Sequence, residues 1–136
     1  MGQYKYKTSV DEVPVQGSNL KAEDGWNRMR VQFVINKDSL GSKLAMMGHT
    51  IFPPKGASHE LHIHENAEEL MYIMRGHGFA NIGDETFEFK AGDLLFAPVG
   101  CPHLVKNTDE EEEMEMLWVY GGCNTLESSG YKHFEK

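Results

Sequence analysis

Cysteine is scarce in this sequence, and so is positive charge. The two cysteines, Cys101 and Cys123, are far apart and in neither a metal-binding nor a redox spacing. They read as free thiols in a reducing setting, so disulfides are not what holds the chain together. With 136 residues it does not need them, because a single domain of that size can bury a core. Lys and Arg number 13 against 21 Asp and Glu, a net charge of −8. Nucleic acid and anionic membrane surfaces are therefore poor partners, since binding them takes a basic surface. No window approaches the about 18 apolar residues of a membrane span. The opening "MGQYKYKTSVDEVP" has no apolar run of the signal-peptide kind. A soluble, cytoplasmic protein is expected. Internal repeats, linkers and low-complexity tracts are also missing, which leaves one domain.

Helical periodicity is lacking as well. Apolar residues recur at period two or in short runs, and turn residues interrupt them every ten or so positions. That pattern predicts short antiparallel strands in a sandwich or barrel. Residues 1–28 are polar and irregular and are expected to form an arm, packed on the body or crossing to a second subunit. The barrel is expected over 29–122 and a surface tail over 123–136. In "MRVQFVI" the alternation puts Met29, Val31, Phe33 and Ile35 on one face. "KLAMMGHTIFPP" is a strand stopped by Pro53 and Pro54. "FANIGDETFEF" is a hairpin turning at Gly83-Asp84. "LLFAP" is a short buried strand, the run Asp109 to Glu113 a loop tip, and "MEMLWVYGG" the last strand.

Titratable groups crowd into "HELHIHENAEELMYIMRG", just where an apolar strand begins. Residues i and i+2 of a strand point the same way, so His62 and His64 aim at one point. A bend at Glu65-Asn66-Ala67 resets the phase. After it Glu69, Met71 and Ile73 share one face, and Leu70, Tyr72 and Met74 the other. Glu65, Glu68 and Glu69 compete as the accompanying carboxylate. Spacing does not choose among them, although Glu69 opens the apolar run. His103 follows the stiff corner "PVGCP". Three imidazoles and a carboxylate suit a divalent transition ion such as iron, manganese, zinc, nickel or cobalt. Such an ion explains how polar groups are tolerated at an apolar interior. The order His59-Glu60-Leu61-His62 is not the H-E-x-x-H of zinc proteases. There is no phosphate loop, G-x-S-x-G elbow or C-x-x-C.

Two blocks resemble the signature motifs of the cupins. "GASHELHIHENAEELMYIMRG" follows G-x5-H-x-H-x4-E-x6-G, from Gly56 to Gly76. "GDLLFAPVGCPHLVKN" follows G-x5-P-x-G-x2-H-x3-N, from Gly92 to Asn107. The resemblance selects Glu69 over its neighbours. It implies an all-β fold, a small antiparallel barrel of the double-stranded β-helix or jelly-roll type. It implies His62, His64, Glu69 and His103 as ligands of one divalent metal ion, and a homodimer. It does not fix the reaction.

The leading functional expectation is a metal-dependent enzyme acting on a small organic molecule, an oxidoreductase of dioxygenase type. A non-redox isomerase, decarboxylase or lyase is the alternative, and a non-catalytic small-molecule binder is a third. Met71, Ile73, Trp118 and Tyr120 are expected to line the substrate pocket, and His49 to act as an acid or base behind the ligands. His59 is expected at the rim, with His77 and His133 structural or exposed. Tyr72 lies on the face opposite Glu69, and Cys101 reads as a small buried residue at a tight turn.

Overall fold

The computed structural model describes residues 4–15 and 29–134. Ten strands follow one another among the described residues: β1 (Arg30–Ile35), β2 (Ala45–Phe52), β3 (His62–His64), β4 (Glu68–Arg75), β5 (His77–Ile82), β6 (Glu85–Lys90), β7 (Leu94–Ala97), β8 (His103–Asn107), β9 (Met114–Gly121) and β10 (Tyr131–His133). They form two five-stranded antiparallel sheets, ordered β1-β2-β9-β4-β7 and β10-β3-β8-β5-β6. This is the expected all-β jelly roll.

Alternation along the strands decides what lies between the sheets. On β9, Met114, Met116, Trp118 and Tyr120 are all buried. Their partners on β4 are Ile73, Met71 and Glu69, each facing the same interior. On β2 the inward positions are Met46, Gly48, Thr50 and Phe52. The second sheet contributes His62, His64, His103, Val105 and Ala80 to that interior. Glu69 therefore stands on one sheet and His62, His64 and His103 on the other.

Tight turns join the strands. Gly76 closes the first motif between β4 and β5 at φ +89°, where a Cβ would lie 2.9 Å from Met114 Cα. Only glycine fits there, for both reasons. The β5–β6 hairpin turns at Gly83-Asp84, as expected from its sequence.

Three expectations change. A register shift between Phe33 and Ile35 pairs Ile35 with Met47, on the outer side of the sheet, instead of keeping it with Val31 and Phe33. The bulge inserts one residue and inverts the alternation beyond it. "LLFA" is not a buried strand but an edge strand, with Leu94 77% and Phe96 50% exposed. The tail is not mere surface. β10 pairs with β3, aligning Tyr131 with His64 and His133 with His62, so the barrel runs past residue 122. Of the expected N-terminal arm, residues 4–15 are described. They include a 3-10 turn, Val10–Glu12, that packs on the body where Gln32 Nε2 donates to the carbonyls of Val10 and Val13. The remainder of the arm lies outside the described residues. Among the described residues, no helix is long and apolar enough to cross a membrane.

Candidate metal centre

His62 and His103 are direct cross-strand partners on β3 and β8, with ring centroids 4.2 Å apart. His64, two residues along β3, faces the same way, and its ring lies 5.2 Å from that of His103. Glu69 reaches across from the opposite sheet. Its Oε1 is 2.9 Å from His103 Nε2 and 3.3 Å from His64 Nε2. One ligand atom from each of the four residues lies within 4.8 Å of all the others. All four side chains are buried, at 5% exposure or less.

The outer nitrogens of the rings show which way the lone pairs point. His62 Nδ1 is 2.8 Å from the carbonyl of Glu60, and His103 Nδ1 is 3.0 Å from that of Cys101. A carbonyl only accepts, so both nitrogens carry hydrogen. His64 Nδ1 lies 3.1 Å from Ser129 Oγ. In a neutral ring the proton on Nδ1 leaves Nε2 as a bare lone pair turned inward. His64 Nε2 is buried and makes no hydrogen bond. His103 Nε2 faces a carboxylate oxygen at 2.9 Å, so in the metal-free protein a proton lies between them, in the place a cation would take. Three nitrogen lone pairs and one carboxylate on one buried point are the donor set of a divalent transition ion, with each imidazole held from behind. The residues present fit such an ion.

Without a metal, the electrostatics of the cluster show the same need. Burial would raise the Glu69 carboxyl, but the hydrogen bond from His103 and the proximity of His64 outweigh it and hold the group well below the carboxylate range. Burial would lower His103, and Glu69 reverses this into a rise. His62 is pushed well below its ordinary value by burial and then by His103. His59 is lowered to about 4, chiefly by burial.

A small cavity adjoins the cluster. Met71, Val105, Met116, Trp118 and Tyr120 wall it, together with His59, His62, Glu69 and His103. The space open to the centre of a water molecule is only ≈ 10 Å³, room for a single water. Trp118 can lie against β2 because Gly48 stands beneath it: a Cβ there would fall 1.9 Å from the indole. The indole N–H donates to Thr50 Oγ1 at 2.8 Å, which fixes the ring in place.

The structure thus brings His62, His64, Glu69 and His103 together, with Met71, Trp118 and Tyr120 beside them. It does not bring Ile73, which is buried one pair farther along β4 and lies outside the cavity wall. Nor does it bring His49. That residue pairs with Leu117 on the outer side of the sheet, and its Nε2 is 2.6 Å from Glu115 Oε2. Its neighbours Gly48 and Thr50 face inward, so strand parity turns it away. His59 is not at the rim. Its ring lies between Phe52 and His62, with centroids at 5.8 and 5.3 Å, and forms part of the wall. His77 and His133 are exposed and pair with Asp109 and Glu60. Sequence reasoning missed Val105 and Met116, though their strand parity with His103 and Trp118 could have marked them. It also missed Ser129 and Tyr131, for which no local signal exists.

Residues 48–120 match the family model described as Cupin domain. The chain belongs to the cupin family. Among curated relatives, this cupin is 29% identical over 111 residues to an oxalate-binding protein of Thermotoga maritima, covering 82% of this chain and 88% of that one. It is 36% identical over 70 residues to an oxalate decarboxylase of Arthroderma benhamiae, covering 48% of this chain but only 16% of that protein. A crystal structure of a predicted oxalate decarboxylase from Thermotoga maritima superposes with a TM-score of 0.69 at 25% identity, over 83% of this cupin and 96% of the other chain.

Proposed function

We infer that this cupin is a metal-dependent enzyme for a small organic acid with oxygen donors, cleaving it by decarboxylation. The observation that carries the reading is the convergence of three imidazoles and Glu69 on one buried point beside a small cavity. His62, His64, Glu69 and His103 would hold one divalent ion, drawn from iron, manganese, zinc, nickel and cobalt. When bound it would supply Lewis acidity to a carboxylate oxygen. Met71, Trp118 and Tyr120 would keep water from that oxygen. The Tyr120 hydroxyl stays protonated, since burial and then Glu69 push it well above its ordinary value. It can donate a hydrogen bond. His59, lowered to about 4 chiefly by burial, stays neutral at neutral pH and adds no charge to the cavity wall.

The names of the relatives support the substrate class and favour decarboxylation over the dioxygenase reading. The dioxygenase reading finds no such support in those names. Binding without turnover is supported by the name of the Thermotoga relative. A homodimer belongs to the same proposal. Leu70, Tyr72, Leu94 and Phe96 form an exposed apolar surface on the outer side of the first sheet, of the kind that marks interfaces. So does a cytoplasmic setting, supported by two free cysteines.

The test uses protein purified without a metal-affinity tag. Its metal content is measured, it is loaded with each of the five ions, and it is incubated with oxalate as the first probe. The expected result is carbon dioxide and formate in equal amounts, with no oxygen uptake. Changing His103 to Ala should abolish metal retention and lower turnover by about a hundredfold or more, as loss of a ligand outweighs loss of an outer partner. Oxygen consumed in step with substrate would replace the decarboxylase reading by the dioxygenase one. Binding with no product would replace both.

A further inference from the structure

The segment "CNTLESSGYKH", residues 123–133, looks like an ordinary polar tail. It is nevertheless tightly built. Thr125 and Ser128 exchange hydrogen bonds through their hydroxyls and backbones, and the Ser129 amide donates to the carbonyls of Thr125 and Leu126. The coil is then pinned to the bend after β3. The amides of Glu65 and Asn66 donate to the carbonyls of Gly130 and Ser129, at 3.1 and 2.9 Å. β10 continues the pairing along β3, residue for residue opposite the two motif histidines.

This architecture delivers one hydroxyl to the metal centre. Ser129 has no exposed surface. Its Oγ donates to the carbonyl of Leu126 at 2.6 Å, which uses its only proton. Toward His64 Nδ1, at 3.1 Å, it therefore offers a lone pair. Only an Nδ1–H of His64 can meet that lone pair.

We propose that Ser129 is a positioning residue of the metal centre: committed as a donor to Leu126, it accepts the Nδ1 proton of His64 and so turns the His64 Nε2 lone pair toward Glu69 and the other imidazoles. The relevance to a metal rests on the reading above; the hydrogen-bond assignment does not. Tyr131 reinforces the arrangement. Its ring stacks on His62, with centroids 4.9 Å apart and planes at 28°, and its hydroxyl bonds Glu60 Oε1 at 3.2 Å. The backbone carbonyl of that same Glu60 holds His62 Nδ1. The turn before β10 and β10 itself thus orient two of the three imidazoles from behind.

Long-range proton–nitrogen NMR of the metal-free wild-type protein at pH 8 reads the tautomer of each histidine. His64 is expected as the Nδ1–H form; an Nε2–H form overturns the proposal without any variant being made. In Ser129→Ala the His64 signals should shift toward the Nε2–H form while those of His62 and His103 keep their positions. Competition with a chelator for Zn²⁺ and Mn²⁺ should show affinity weaker by about ten- to a hundredfold, the usual cost of losing an outer partner. Ser129→Thr, which keeps the hydroxyl, should restore both readouts. Unchanged His64 signals with affinity within about twofold of wild type would overturn the role. If the wild type takes up no metal, the enzymatic reading fails, and the tautomer measurement still decides the place of Ser129.

Discussion

Asn107 closes the second motif and carries no exposed surface. Its Nδ2 lies 3.0 Å from three carbonyls, those of Phe52, Pro53 and Glu112, and its Oδ1 accepts from the Asp109 amide at 2.9 Å. One side chain thus ties the end of β2 and the acidic loop to β8, the strand that carries His103. Its place in the motif was visible in the sequence; its partners, more than fifty residues away in two cases, were not. Asn107→Ala would strand buried carbonyls, and each unsatisfied group costs about 1–3 kcal/mol. A loss of about 3 kcal/mol is expected, read from the midpoint of urea denaturation. A loss below about 1 kcal/mol would mean that water replaces the amide. The same limit governs the metal centre. Its four ligands could be read because motif spacing and period-two geometry place them locally. Ser129 could not, because 65 residues separate it from the imidazole it holds. His49 was misread for a third reason: no sequence pattern says which parity of β2 faces inward until Gly48 and Thr50 are seen beneath Trp118.

Strand identity was easier to read than strand environment. The hairpin over 79–89 has a turn dipeptide and clean alternation, and it formed as expected. β10 has three residues and no alternation; it is a strand only because β3 offers an edge. "LLFA" is apolar enough for a core, yet among the described residues no strand covers the far side of β7. Edges of that kind are hazards unless something covers them. Leu94 and Phe96 pair with Tyr72 and Leu70 on β4, so the exposed apolar surface spans two strands. If the proposed homodimer uses this surface, Phe96→Lys should convert it to monomer while leaving stability within about 0.5 kcal/mol, as for most surface changes. Sedimentation velocity at several concentrations checks both proteins. A wild type that stays monomeric throughout removes the dimer from the proposal.

Over the whole molecule, the cluster that would bind a metal is a source of strain when nothing is bound. Neutral His59 and His62 have folded-state values below the ordinary 6.5, His59 at about 4. The unfolded chain therefore takes up protons on these groups before the folded one does. Their contribution to stability is complete above 6.5 and declines as pH falls from there toward 4. The slope reaches about 1.4 kcal/mol per pH unit for each group. Glu69, also lowered, acts in the same sense below its ordinary 4.5. His103 acts oppositely: its raised value contributes below 6.5 and is lost as pH rises through the folded value. Below 6.5 His103 is protonated in both states and adds no slope, so the two lowered histidines make the metal-free protein melt at progressively lower temperature between pH 6.5 and 4. A bound ion adds stability by mass action, about 2.7 kcal/mol at a hundred times its dissociation constant. It competes with the proton that Glu69 holds on His103, so this increment should shrink as pH falls. Thermal melts with Mn²⁺ or Zn²⁺ and with a chelator, at pH 7.5, 6 and 5, measure the difference directly. The metal should raise the melting temperature most at pH 7.5 and hardly at pH 5. An equal rise at all three values would show that binding displaces no proton over this range and would place the ion away from His103, whose proton Glu69 holds.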